Sequence, residues 1–205
     1  MPSTAVANRS KPRAVSRGLV FFGLVLLLSG LAIFVLTFSP VITQEVRYAV
    51  IRPDPKPAVI VPIDTNFGIV VPKIGANAKV VPNVDPYKER EYQLALTHGV
   101  AQARGTSFPG QEGNVFIFAH SAGNFYEANQ YNAVFYLLDK LEKGDDIFLF
   151  YKGEKFKYQV TDKKIVPADA VEYFKSHGTD KTVTLMTCWP AGTTLKRLII
   201  IAKLD

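Results

Sequence analysis

Cys188 is the chain's only cysteine. It ends the strand-like run Val183-Thr184-Leu185-Met186-Thr187, and Arg197 follows nine residues later at the head of a second such run. A lone thiol cannot make an internal disulfide, and as a thiolate it is a nucleophile. Acyl transfer by a thiol needs a route to the thiolate, an acid to protonate the leaving group, and a positive or N–H-rich group facing the oxyanion. The turn through Trp189-Pro190-Ala191-Gly192 predicts a hairpin that brings Cys188 and Arg197 to one end of a sheet. Three histidines are available as the acid. His120 closes the apolar run Val115-Phe116-Ile117-Phe118-Ala119, at a strand's mouth where a rigid sheet can hold a reactive side chain; His98 and His177 each precede a glycine in loop-like or helix-ending contexts. Each residue also has a plainer role open to it. Cys188 suits a small buried hydrophobe, Arg197 a solvated edge charge, and His120 a structural strand end.

A second constellation overlaps the first. Ala119-His120-Ser121-Ala122-Gly123 nearly matches the GxSxG elbow of α/β-hydrolases, with alanine in place of the first glycine. That chemistry places Ser121 on a strand-to-helix turn, then an acid, then a last histidine, a place His177 could fill. The region is short and lacks the alternating long helices of that fold, which weighs against a serine hydrolase.

The elements that must position these residues are short β-branched and aromatic runs broken by Gly, Pro and Asn. Strands are predicted over Phe67–Val71, Lys79–Val81, Val115–Ala119, Ile147–Lys152, Lys155–Val166, Val183–Thr187 and Leu198–Lys203, with Lys152-Gly153-Glu154 turning one hairpin. Such a series predicts a closed or sandwiched β domain. Two or three helices interrupt it. Asp85-Pro86 reads as an N-cap followed by proline at the first helical position, with Gly99 ending that helix. A second helix is expected from about Asn132 to Glu142, where Val134, Leu137, Leu138 and Leu141 form a core-facing stripe and Gly144 stops it. There is no internal repeat and no low-complexity stretch.

The amino-terminal third has a different character. Of the formal charge of +6, four charges come from Arg9, Lys11, Arg13 and Arg17 in the first seventeen residues, which hold no acid. That asymmetry fits a membrane-flanking tail and not a nucleic-acid surface. Residues 18–38, GLVFFGLVLLLSGLAIFVLTF, carry no charge, with Ser29 and Thr37 the only polar members. As a helix they would reach roughly 31 Å, the hydrocarbon thickness of a bilayer. A cleaved signal peptide would want a small-x-small site, and Phe38-Ser39-Pro40-Val41 offers none. Four cations precede the span and only Arg47 and Arg52 follow closely, which predicts a cytoplasmic amino terminus and an extracytoplasmic body. Pro40, Pro53, Pro55, Pro57 and Pro62 keep the next segment extended, as a stalk.

Thr184-Leu185-Met186-Thr187-Cys188 is a TLxTC signature. With Arg197 on the next strand and His120 after an apolar strand, the chain resembles the sortases, membrane-anchored cysteine transpeptidases of bacterial cell surfaces. The resemblance runs over most of 67–204. It includes Val71-Pro72-Lys73-Ile74-Gly75, similar to the IPKIG segment of many sortases, and Phe108-Pro109-Gly110-Gln111-Glu112-Gly113-Asn114 leading into the histidine strand.

It implies a mainly β fold: the closed eight-stranded sortase barrel with two or three short helices, preceded by a transmembrane helix. The domains would be 1–17 as cytoplasmic tail, 18–38 as transmembrane helix, 39–66 as extracytoplasmic stalk and 67–205 as the barrel. The protein would sit in the bacterial cell membrane as a single-pass anchor. Cys188 would attack the threonine carbonyl of an LPxTG-like sorting signal on a secreted protein, giving a thioester. His120 would protonate the departing glycine amine and deprotonate the incoming one, while Arg197 would hold the developing oxyanion. The acceptor would be an amine of a cell-wall precursor or a pilin lysine. No cofactor, metal or nucleic acid is implied.

Thr187, Trp189 and Ala119 are the substrate-groove candidates. Thr187 could equally hydrogen-bond locally, and Trp189 could equally close the hairpin by packing. Pilus-building sortases often carry an Asp-Pro-aromatic lid ahead of the first barrel strands; Asp85-Pro86-Tyr87 lies downstream of the IPKIG-like segment, so the lid role is not carried over. The subclass stays open, and the calcium dependence of some sortases needs an acidic cluster that the sequence does not assign. The non-enzymatic alternative is a membrane-tethered barrel that binds peptides or wall polymer, against which the intact trio His120, Cys188 and Arg197 speaks.

Overall fold

The computed structural model describes residues 18, 21–33, 61–121, 134–170, 172–174 and 179–205. The chain divides into two units, Met1–Ile42 and Thr43–Asp205. In the first, Gly18 and residues 21–33 are helical and exposed, and the rest of the expected 18–38 span lies outside the described residues. Among the described residues no helix is long and apolar enough to cross a membrane.

The second unit is a closed barrel of eight strands in the order β1-β2-β3-β4-β7-β8-β6-β5. The strands are β1 Phe67–Val71, β2 Ala76–Val84, β3 Val100–Ala103, β4 Gly113–Phe118, β5 Asp146–Tyr151, β6 Glu154–Pro167, β7 Lys181–Trp189 and β8 Lys196–Leu204. Closure is what the family resemblance led us to expect, and it leaves the sheet no free edge. Two neighbouring pairs are parallel, β2 with β3 and β4 with β7, and the rest are antiparallel. Parallel neighbours need a crossover. For β2 and β3 it contains the helix α1, Glu89–Leu96. For β4 and β7 it contains β5 and β6.

The core follows from alternating apolar runs. Ile69, Val115, Ile117, Leu149, Leu185 and Ile200 are buried at its centre. Every residue of β4 is buried, so its continuous run Val115–Phe118 behaves as a strand covered on both faces. Lys152 and Gly153 both take positive φ, 51° and 84°, as a tight two-residue turn between Tyr151 and Glu154 requires.

Three features depart from the sequence expectations. The strand β3, Val-Ala-Gln-Ala, was not predicted, because it is short and holds no β-branched residue after Val100. The helix after β2 begins at Glu89 and not behind an Asp85 cap. Asp85, Pro86 and Tyr87 instead form a turn, in which Lys88 N–H donates to Asp85 O and Tyr87 N–H to Asp85 Oδ1. The helix expected over 132–142 is, over its described part, a series of turns and a 3-10 turn at Leu138–Lys140. Its stripe is still core: Leu137, Leu138 and Leu141 are buried. One α-helix, α1, therefore accompanies the barrel among the described residues, with 3-10 turns at Pro72–Ile74, Leu138–Lys140 and Glu172–Phe174.

The segment before β1 is tied down from Val61. The Asn77 side chain donates to Val61 O and accepts from Ile63 N–H, at 2.8 and 3.0 Å. The IPKIG-like segment also holds the barrel together. Lys73 Nζ, on the 3-10 turn after β1, donates to Asp145 Oδ2 at 2.8 Å and Glu142 Oε2 at 3.2 Å, next to the start of β5. Burial works to lower the Lys73 pKa, but its hydrogen bonds to Asp145 and Glu142 and their negative charge outweigh it and hold the ammonium above its ordinary value. A raised pKa means the ion pair's contribution is complete through neutral pH and fades only as alkaline solution removes the proton. Lys73→Met is expected to cost about 1 kcal/mol at neutral pH by denaturant titration, with thiol alkylation of Cys188 unchanged.

Candidate active site

Three strand ends meet at one mouth of the barrel. In the β7–β8 ladder Cys188 lies directly opposite Arg197, so their Cβ atoms stand about 5 Å apart on the same face. The parallel β4–β7 ladder runs to Phe118 opposite Met186. Beyond that pair one strand runs on to His120 and the other to Cys188, and both side chains line one cavity.

The register is locked at the last step before both residues. Ala119 N–H donates to Met186 O at 3.2 Å, and the buried Thr187 hydroxyl donates to Ala119 O at 2.9 Å. Both backbone polar groups of the residue before His120 are thus held by the two residues before Cys188. Thr187 makes this local bond and also lines the cavity described below, as does Ala119. Trp189 pairs with Lys196 across the hairpin and packs, half-buried, against the core.

The turn closing the hairpin is fastened at two points. Gly192 N–H donates to Ser121 Oγ at 3.2 Å, which joins the turn to the end of the histidine strand. Arg197 Nη1 donates to Thr194 O at 3.2 Å and Lys196 O at 3.0 Å, so the guanidinium is braced by the backbone of its own turn. Ser121 is 4% exposed and accepts that backbone N–H. A hydrolase elbow needs the opposite, a serine standing proud at a strand-to-helix turn.

His120, Cys188 and Arg197 line one cavity of about 480 Å³. Its walls are largely apolar: Tyr92 and Leu96 of α1, Phe118, Met186, and Phe174 from the β6–β7 connection. A buried network fixes that last wall. Asn114 Nδ2 donates to Tyr173 O at 3.0 Å, while its Oδ1 accepts from the hydroxyls of Thr182 and Thr184. Phe174 stacks on Phe116, ring centroids 4.0 Å apart. Pro86 and Tyr87 also face the cavity, so the Asp-Pro-Tyr triplet borders the site although it follows the IPKIG-like segment. Cys188 is a free thiol, partly exposed. Among the described residues no group of His, Cys, Asp and Glu is placed to hold a metal ion.

Of the other histidines, His98 lies at the end of α1, its Nδ1 within 3.0 Å of Leu94 O and of Thr97 Oγ1. His177 lies outside the described residues. Sequence reasoning missed Gln93, which lines the cavity with its Oε1 3.1 Å from His120 Nε2. A lone glutamine on an amphipathic helix gives no signal of its own.

A largely apolar cavity lined by a thiol, an imidazole and a guanidinium can bind an extended peptide and transfer its acyl group through sulfur. Residues 69–205 match the Sortase domain model. Sortase D of Bacillus subtilis (strain 168) is 26% identical over 136 residues, which are 65% of this chain and 60% of that protein; the chain thus spans less than two thirds of that relative. Sortase C-1 from Actinomyces oris superposes with a TM-score of 0.58 at 26% identity, over 70% of this chain and 75% of that one. A lid mutant of sortase A from Corynebacterium diphtheriae shares the fold, with a TM-score of 0.58 at 24% identity, over 69% and 70% of the two chains. The barrel, its closed strand order and the matched domain agree, and the chain belongs to the sortase family.

Proposed function

We propose that this protein is a membrane-anchored cysteine transpeptidase that cleaves an LPxTG-like sorting signal of secreted proteins between Thr and Gly and passes the acyl group to an amine. The observation that carries this reading is the pairing of Cys188 with Arg197 across β7–β8, with His120 lining the same cavity. Cys188 Sγ attacks the threonine carbonyl, and the charge that develops on its oxygen meets Arg197. The C–N bond breaks as His120 gives its proton to the departing glycine nitrogen. In the second half an incoming amine loses a proton to His120 and displaces the sulfur.

The apolar walls favour an extended signal with non-polar residues ahead of the threonine. The acceptor is an amine of a cell-wall precursor or a lysine of a pilin subunit. Residues 18–38 anchor the chain, residues 1–17 stay in the cytoplasm and the barrel faces outward; the charge asymmetry and the apolar run support this.

The test uses the full chain in detergent with a library of LPxTG-type peptides and hydroxylamine as acceptor. Peptide hydroxamate should form from one subset of signals. Arg197→Ala should reduce the rate by about 10²- to 10³-fold, the usual cost of losing an oxyanion donor. A folded protein that binds members of the library and converts none would instead support the non-catalytic tethered barrel.

A further inference from the structure

The helix α1 is anchored on both sides of Gln93. Before it, Glu91 is held by the Arg104 guanidinium and accepts the Asp85 N–H at 3.0 Å, and Tyr92 meets Phe118 edge-on, centroids 6.4 Å apart. After it, Ala95 and Leu96 are buried. Gln93 is thereby directed into the cavity, 3.1 Å from the His120 ring through Oε1 and Nε2.

With a carbonyl oxygen on that side, Nε2 carries a proton in both the neutral and the cationic ring. The proton that moves during reaction is then the one on Nδ1. The partner's charge matters as well. An amide orients an imidazole without stabilising its cation as a carboxylate in the same place would. The other titratable or charged side chains bordering the cavity, among the described residues, are Cys188 of β7, Arg197 of β8, Asp169 of the β6–β7 connection, and Tyr87 and Tyr92 at α1.

We propose that Gln93 is a positioning residue for the Cys188 reaction: it holds the His120 ring and its tautomer, and as an amide it does so without setting a charge against the imidazole. The inference rests on His120 being the proton shuttle of the proposed acyl transfer. During acylation the C–S bond forms, the C–N bond breaks, and the Nδ1 proton passes to the leaving nitrogen. Gln93 gains and loses nothing in that step.

The full chain in detergent, labelled with ¹³C-histidine, tests this by titrating the His120 resonances in the wild type, Gln93→Glu and Gln93→Ala. Gln93→Glu should raise the His120 pKa by about one unit or more and move the alkaline limb of the kcat/KM profile upward with it. Gln93→Ala should shift the ¹³Cδ2 resonance away from the Nε2–H tautomer and lower kcat by about tenfold at unchanged KM. An unmoved His120 titration in Gln93→Glu overturns the inference. So does a loss of kcat in Gln93→Ala with the tautomer unchanged, because that is the signature of packing alone. The titration is read without substrate, so it decides the Gln93–His120 coupling even if no sorting signal is ever cleaved. In that event the acyl-transfer reading falls and not the contact.

Discussion

Cys188→Ala, with its fold intact, is expected to lose at least about 10³-fold in sorting-peptide cleavage, the scale on which removing a nucleophile acts. The residue sits one step before the end of the β7–β8 ladder, partly exposed, lining the cavity opposite Arg197, and the sequence holds no other cysteine to replace it. Cys188→Ser should not rescue the rate. A hydroxyl loses its proton far less readily than a thiol, and an alkoxide is needed where a thiolate would serve. Peptide binding, measured by fluorescence anisotropy, should stay within about threefold of the wild type, since the apolar walls do the binding. Equal losses in binding and turnover would make Cys188 a packing residue.

His120→Ala is expected to lower kcat by about 10²- to 10⁴-fold on a peptide substrate. The size of the effect follows from the leaving group. An amine cannot depart from a tetrahedral intermediate as an anion, so the acid is needed at the moment of C–N cleavage. A depsipeptide with an ester at the scissile position leaves as an alkoxide far more easily, so His120→Ala should lose at least tenfold less on the ester than on the amide. The same loss on both would place the role of His120 elsewhere, in forming the thiolate or holding the register.

The sequence made the reactive hairpin legible because its information is local. Six residues between β7 and β8, with proline and glycine among them, leave Cys188 and Arg197 few partners but each other, and the ladder pairs them. His120 was legible by position, since a run of five buried apolar residues has to end at a mouth of the barrel. What closes the distance between His120 and Cys188 was not legible. It is a parallel pairing of strands separated by some sixty residues, and its lock is a Thr187 hydroxyl whose partner, Ala119 O, carries no side-chain signal. The strand β3 escaped for a related reason: Ala101, Gln102 and Ala103 have weak strand preference, and pairing with β2 and β4 supplies what propensity does not.

Two misassigned elements show tertiary context overriding local signals. Asp85-Pro86 has the chemistry of a helix start, yet Asp85 spends its side chain on the Tyr87 N–H and its own N–H on Glu91, so the helix begins later. The Leu137, Leu138 and Leu141 stripe has helical spacing, yet all three are buried from a run of turns with a 3-10 turn at Leu138–Lys140. The near match to a hydrolase elbow at Ser121 has a structural use instead, as the acceptor that ties the β7–β8 turn to the histidine strand. Gln93 was silent because its role depends on where α1 is anchored, which Arg104 and Phe118 decide from outside the helix.

Cys188 is proposed to carry the acyl group of a sorting signal. Intact-protein mass spectrometry of the full chain, mixed with a cleavable LPxTG-type peptide and quenched in acid without an amine acceptor, tests it directly. The expected result is a mass increase equal to the peptide up to and including its threonine less one water, mapped to Cys188, released by hydroxylamine and absent from Cys188→Ala. Cleavage of the peptide with no such adduct, or an adduct that persists in Cys188→Ala, would contradict it.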